Sequence, residues 1–229
     1  MRANERSLSN GIGDQHLRNV KAIKKALFSY KDSVKMKIWI KKVIAANQSF
    51  KEGESMDYQE IARHFQTTSF DPQPFVQTAI DDRKVREKLV ENVVDGQNHI
   101  NEYFNSYLII KEVATKNPEL IYDEWERIWA LHTHKNSYHR WIAHDLITQL
   151  LVIDHEDKFE AIKREYVLLP KEEKISNFLK MSENIKEASR YKDIQQEIQL
   201  LFTDQTWLTN FNEKQVKRIE KVLQSFLAE

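Results

Sequence analysis

The chain has 229 residues, 35 Lys and Arg set against 35 Asp and Glu, and no cysteine. Without cysteine there is no disulfide framework, thiolate zinc site, iron–sulfur cluster or cysteine nucleophile, and a reducing, cytoplasmic setting is expected. Four Gly and four Pro are too few for glycine-rich phosphate loops or a turn-rich all-β fold, so helices, which need the fewest turns, are the expected element.

Residues 1–15 are polar, hold Gly11 and Gly13 and lack an apolar period, so they read as a flexible tail. Residues 16–80 read as a basic N-terminal helical segment. Within it Leu17, Val20, Ile23, Leu27, Tyr30, Val34 and Ile38 recur at steps of three and four, the spacing of one helical face. The stretch from Ser29 to Ser33 fits either the cap of a second helix or the inside of one. A short helix is expected over 57–65, with Tyr58, Ile61, Ala62 and Phe65 on one side. Pro72 and Pro74 close it, each pushing the preceding residue away from helical geometry.

From Phe75 onward helices are predicted over 75–94, 100–115, 118–132, 138–152, 156–168, 171–189, 191–202 and 212–228, joined by brief polar turns. Pro118 suits the first turn of its helix and Asn117 its cap. No run of about 18 apolar residues occurs, and the start lacks the apolar core of a secretory signal, so no integral membrane segment and no export are expected.

The spacing of these helices carries the most information. Taken turn to turn, Asn98, Ser137 and Lys174 are separated by steps of 39 and 37 residues, and each step holds two helices. Tyr107 falls opposite Leu146, and Ile121 opposite Phe159. Two-helix units of this period cannot bury their apolar faces alone and stack on their neighbours. The stretches HINEYFNSYLIIKEVATKNPELIYDEWERIWALH, SYHRWIAHDLITQLLVIDHEDKFEAIKREYVLL and KISNFLKMSENIKEASRYKDIQQEIQLLF resemble HEAT and armadillo-like repeats. The first carries the proline and acidic turn such repeats often show (Pro118, Glu119, Asp123), whereas the later two have no proline there. The resemblance implies an all-α fold, an α-solenoid of stacked antiparallel helix pairs over 81–229. The helix at 212–228, with Val216, Ile219, Val222, Leu223 and Phe226 in phase, caps its far end.

Stacked repeats build long surfaces, so the expected function is a non-catalytic scaffold that binds a protein or peptide, with no cofactor and no metal. The resemblance also implies an alternative, a nucleic-acid-binding HEAT-like protein such as an alkylpurine DNA glycosylase. Such enzymes hold a damaged nucleotide against aromatic side chains beside an acidic residue. Trp125, Trp129 and Trp141 are the candidate aromatic side chains here, with Glu124, Asp145 and Arg140 nearby in sequence, and no catalytic role is carried over to any residue. Trp125 and Trp129 are in phase with Ile121 and Ile128, which favours a place in the core over that role.

Zero net charge hides an asymmetry. Residues 1–50 carry eleven basic and three acidic side chains, a net of +8, and the remainder carries −8. Lys21, Lys24, Lys25, Lys31, Lys35 and Lys42 share a broad helical side and are candidate contacts for phosphates or an acidic partner, whereas Lys37 and Lys41 lie away from them. A plain solvated face, or docking on the acidic remainder of the same chain, fits that pattern too.

Five of the eight histidines fall between His132 and His155. The adjacent His144 and Asp145 resemble the centre of the HD phosphohydrolases. At about 100° per residue, His139 falls within the buried arc set by Ile142, Leu146 and Leu150, His144 lies at its margin, and Asp145 points away. The three do not converge, so no metal site is expected. The segment DYQEIARHFQTT looks like the first helix of a helix-turn-helix, but Pro72 and Pro74 interrupt the continuation. No GxGxxG, P-loop, GxSxG or HExxH occurs.

Overall fold

The computed structural model describes residues 57–65, 70–95, 99–203 and 205–227, all within one compact unit, Met56–Glu229. The tail at 1–15, the apolar period that starts at Leu17, and Lys21, Lys24, Lys25, Lys31, Lys35 and Lys42 lie outside the described residues. The described residues form eleven α-helices and no strand. In chain order the helices are α1 (Tyr58–His64), α2 (Gln73–Asp81), α3 (Arg83–Asp95), α4 (Ile100–Lys116), α5 (Glu119–Tyr122), α6 (Trp125–Trp129), α7 (Ser137–Leu150), α8 (Lys158–Leu168), α9 (Ile175–Ala188), α10 (Gln195–Thr203) and α11 (Glu213–Phe226). Short 3-10 turns follow α6, α7, α8 and α10.

Local chemistry sets the helix ends. Asp57 caps α1 by accepting from the Glu60 amide at 2.9 Å. Helix α1 ends at His64 with Phe65 as its cap, ahead of Pro72 and Pro74, which therefore do not close it. They stand at the start of α2, where a missing amide costs nothing, so the helix begins at Gln73 rather than at Phe75. The helix expected over 75–94 is divided at Asp82. Its backbone is extended, and its carboxylate accepts from the amides of Lys84 (2.8 Å) and Val85 (3.3 Å), starting α3. The helix expected over 118–132 is likewise divided, into α5, α6 and a 3-10 turn at Ala130–Thr133. After α8 the chain tightens into a 3-10 turn with Pro170 in its first residues, which delays α9 to Ile175. Asn136 caps α7. Asn212 and Gln215 form a reciprocal capping box at the start of α11.

Packing links these elements in a regular order. Helix α4 packs against α2, α3 and α7, α7 packs against α9, and α9 packs against α11. In parallel, α6 packs on α7 and α8 packs on α10. A single apolar cluster runs through all of them, from Ile61 and Phe65 in α1 and at its end to Leu223 and Phe226 in α11. Helix α7 is the most enclosed, since α4, α6 and α9 all lie against it. From His139 to Leu151 every residue except Arg140 and Gln149 is buried. Among the described residues, no helix is long and apolar enough to cross a membrane.

Candidate functional site

Because α7 is surrounded, its polar side chains lose water and need partners within the fold. Asp145 does face away from Ile142 and Leu146, as its helical position requires, yet it is buried because α4 covers that side. Its carboxylate accepts from the Tyr107 hydroxyl at 2.8 Å and pairs with the Lys111 ammonium at 2.8 Å. Burial, with the Asp145 charge in support, pushes the Tyr107 hydroxyl far above the usual phenol range, so it stays a donor.

His144, one residue earlier, turns to different neighbours. Its Nε2 lies 3.1 Å from the Tyr166 carbonyl and its Nδ1 lies 3.2 Å from the Asn184 amide nitrogen. The imidazole stacks on the Tyr166 ring at 3.8 Å. Desolvation lowers its pKa to about 3, the Tyr166 carbonyl opposing, so the ring is neutral. His144 and Asp145 therefore serve two separate helix contacts. Among the described residues, no three His, Asp or Glu side chains are grouped to hold a metal ion.

Two further buried carboxylates have the same character. The Glu173 side chain is fully buried and is held by Arg140 and by the Asn177 amide. Arg140 also donates to the carbonyl of His134 at 2.7 Å. Asp154 accepts from the Tyr122 hydroxyl (2.7 Å) and from the amides of Lys158 (2.9 Å) and Phe159 (3.1 Å), and pairs with Lys192 at 2.8 Å. Burial raises the Asp154 carboxyl, but Lys192, Tyr122 and the Phe159 amide outweigh it and hold the group below the usual carboxylate range.

The three candidate tryptophans are all interior. Trp125 meets the edge of Tyr122, and Trp129 stacks flat on His132 at 4.5 Å. Trp141 meets the edge of Tyr107 at 5.3 Å and lies under the Lys180 ammonium, which is 3.8 Å from its ring centroid. Trp141 and Asp145 are thus brought together, one turn apart on α7, with Lys111 and Lys180 over them. Trp125 and Trp129 are buried away from that pair, on α6. His132 and His139 also contact neighbouring side chains. His132 reaches Glu165 at 2.9 Å, and His139 packs between Tyr103 and His134. Burial, reinforced by His134, lowers the His139 pKa to about 4.

Sequence reading missed Tyr107, Lys111, Arg140, Glu173, Asp154 and Lys192 as a set. A signal for them does exist in their separations. Tyr107 and Asp145 are 38 apart, Asn184 and His144 are 40 apart, and Lys192 and Asp154 are 38 apart. Lys111 and Asp145, Arg140 and Glu173, and Tyr122 and Asp154 are closer, at 34, 33 and 32, so the ties span 32 to 40 residues.

No protein family, curated protein or solved structure matches this chain.

Proposed function

We propose that the unit at 56–229 is a scaffold of stacked helix pairs, built on the HEAT-like plan, whose work is to hold a protein or peptide on its surface. One observation supports this above others. The buried charged side chains Asp145, Asp154 and Glu173 are tied to residues 32 to 38 positions away, on other helices, a range that reaches the steps of 37 and 39 read from the sequence. Their charge is used to fix how successive pairs lie on each other. Fixing that register is what a repeat array needs in order to present a continuous surface.

The nucleic-acid alternative ranks second, because the tryptophans it requires are buried and Asp145 is engaged by Lys111 and Tyr107. The two readings separate in a direct experiment on the full chain. Fluorescently labelled duplex, with and without alkylated purines, is titrated at low and at moderate ionic strength, alongside chemical cross-linking of the chain in cell extract. The scaffold reading expects discrete protein cross-links confined to one side of the helix array and no duplex binding. Affinity for duplex that falls steeply with salt, or release of an alkylated base, overturns it.

A further inference from the structure

Two surface depressions lie side by side in this unit. The first, of about 750 Å³, is bounded by the segment that leads into α7 (132–135) and by the last turns of α8. The second, of about 500 Å³, is bounded by the segment that leads into α9 (171–176) and by the start of α11. Each is therefore formed where the entry to one helix meets the turn of the following pair. Glu172 lines both, so the two adjoin as a groove divided at that side chain.

The charge of this groove runs against that of its surroundings. Residues 51–229 carry a net of −8, yet five Lys and Arg line the groove against three Glu. Glu173 and Arg140 are committed to each other, and Glu165 reaches His132, which leaves four Lys and Arg against Glu165 and Glu172. Three of the cations, Lys135, Arg164 and Lys174, are exposed. No ion pair or hydrogen bond among the described residues engages the side chains of these three. Leu168, Ile175 and Phe211 stand in the same groove half-buried, with part of each apolar side chain left in water.

We infer that this groove is the docking site for an acidic peptide segment carrying apolar side chains; this rests on the scaffold reading and names its partner class. Exposed ion pairs are worth little singly, so carboxylates on the partner set its register and approach, while Leu168, Ile175 and Phe211 give it area to bury. Nucleic acid fits less well. The half-buried Leu168 and Ile175 side chains have nothing in a phosphate backbone to cover.

The test uses the full chain as bait for a displayed library of short peptides rich in Asp and Glu, each with Leu, Ile or Phe. Selected peptides are then measured by fluorescence anisotropy against the wild type and against the variant Lys135→Glu, Arg164→Glu, Lys174→Glu. The expected result is selection of acidic–apolar peptides and an affinity loss of about tenfold or more in the variant at low ionic strength, shrinking as salt screens the contacts. The variant's melting temperature serves as the control, since all three side chains are exposed. Selection of no peptide, or equal affinity in the two proteins, overturns the groove assignment. If cross-linked protein partners persist in the variant, the groove fails and the scaffold stands. Duplex DNA bound by the wild type and lost by the variant would sink both.

Discussion

His144 makes the fold sensitive to acid, and the size of the effect can be worked out. The side chain has no exposed surface. Neutral imidazole offers one donor and one acceptor, and the fold uses both: Nε2–H donates to the Tyr166 carbonyl and Nδ1 accepts from the Asn184 amide. A second proton would place a donor against a donor inside the core. The folded pKa is accordingly about 3, against an ordinary 6.5. Below 6.5 the unfolded chain takes up a proton that the folded chain refuses, so stability falls with pH through the window from 6.5 toward 3. At about 1.4 kcal/mol per pH unit, this one side chain costs about 2 kcal/mol at about pH 5. That is a sizeable part of the 5–15 kcal/mol, roughly, that holds a domain folded. Urea unfolding of wild type and His144→Gln at about pH 7.5 and about pH 5 measures it. The wild type should lose about 2 kcal/mol more than the variant over that interval, even though His139 adds its own slope to both. If the variant does not fold, the nitrogen resonances of His144 in the wild type give the same answer. Parallel losses in the two proteins, or a His144 ring that titrates near 6.5, would refute the reasoning.

Two other perturbations follow from the buried charges. Arg140→Met strands the fully buried Glu173 carboxylate and should cost about 3–5 kcal/mol, whereas replacing both partners with apolar residues should cost much less; urea midpoints of the single and double variants decide it. For Asp145, a double-mutant cycle with Lys111→Met and Asp145→Asn should give a coupling energy of about 0.5–3 kcal/mol. Asp145→Asn alone should also weaken the bond from Tyr107, and additive losses within error would show that Lys111 contributes nothing to the contact.

Some of this protein is written in residue spacing. The recurrence of Leu, Ile and Val at steps of three and four located α4, α7, α8, α9 and α11, because an amphipathic helix shows its period locally. The steps of 39 and 37 between Asn98, Ser137 and Lys174 lie within the range of 32 to 40 residues over which polar side chains on packed helices meet. The breaks at Asp82 and after Tyr122 were not legible. A side-chain cap inside an apolar period looks like an ordinary polar position until the backbone bends around it.

What the sequence determined alone is the helical class, the positions of the longer helices and the reservation of Trp125 and Trp129 for the interior. All of these follow from backbone period and from hydrophobicity, properties that each segment carries by itself. What only the tertiary structure decided is the fate of the polar residues. His144 and Asp145 are neighbours in sequence, yet α9 and the Tyr166 carbonyl hold one while α4 holds the other. Lys135, Arg164 and Lys174 are scattered along the chain and meet on one groove. Charge and hydrogen bonding act between groups that folding alone makes adjacent, so their pairing is fixed by packing rather than by local spacing.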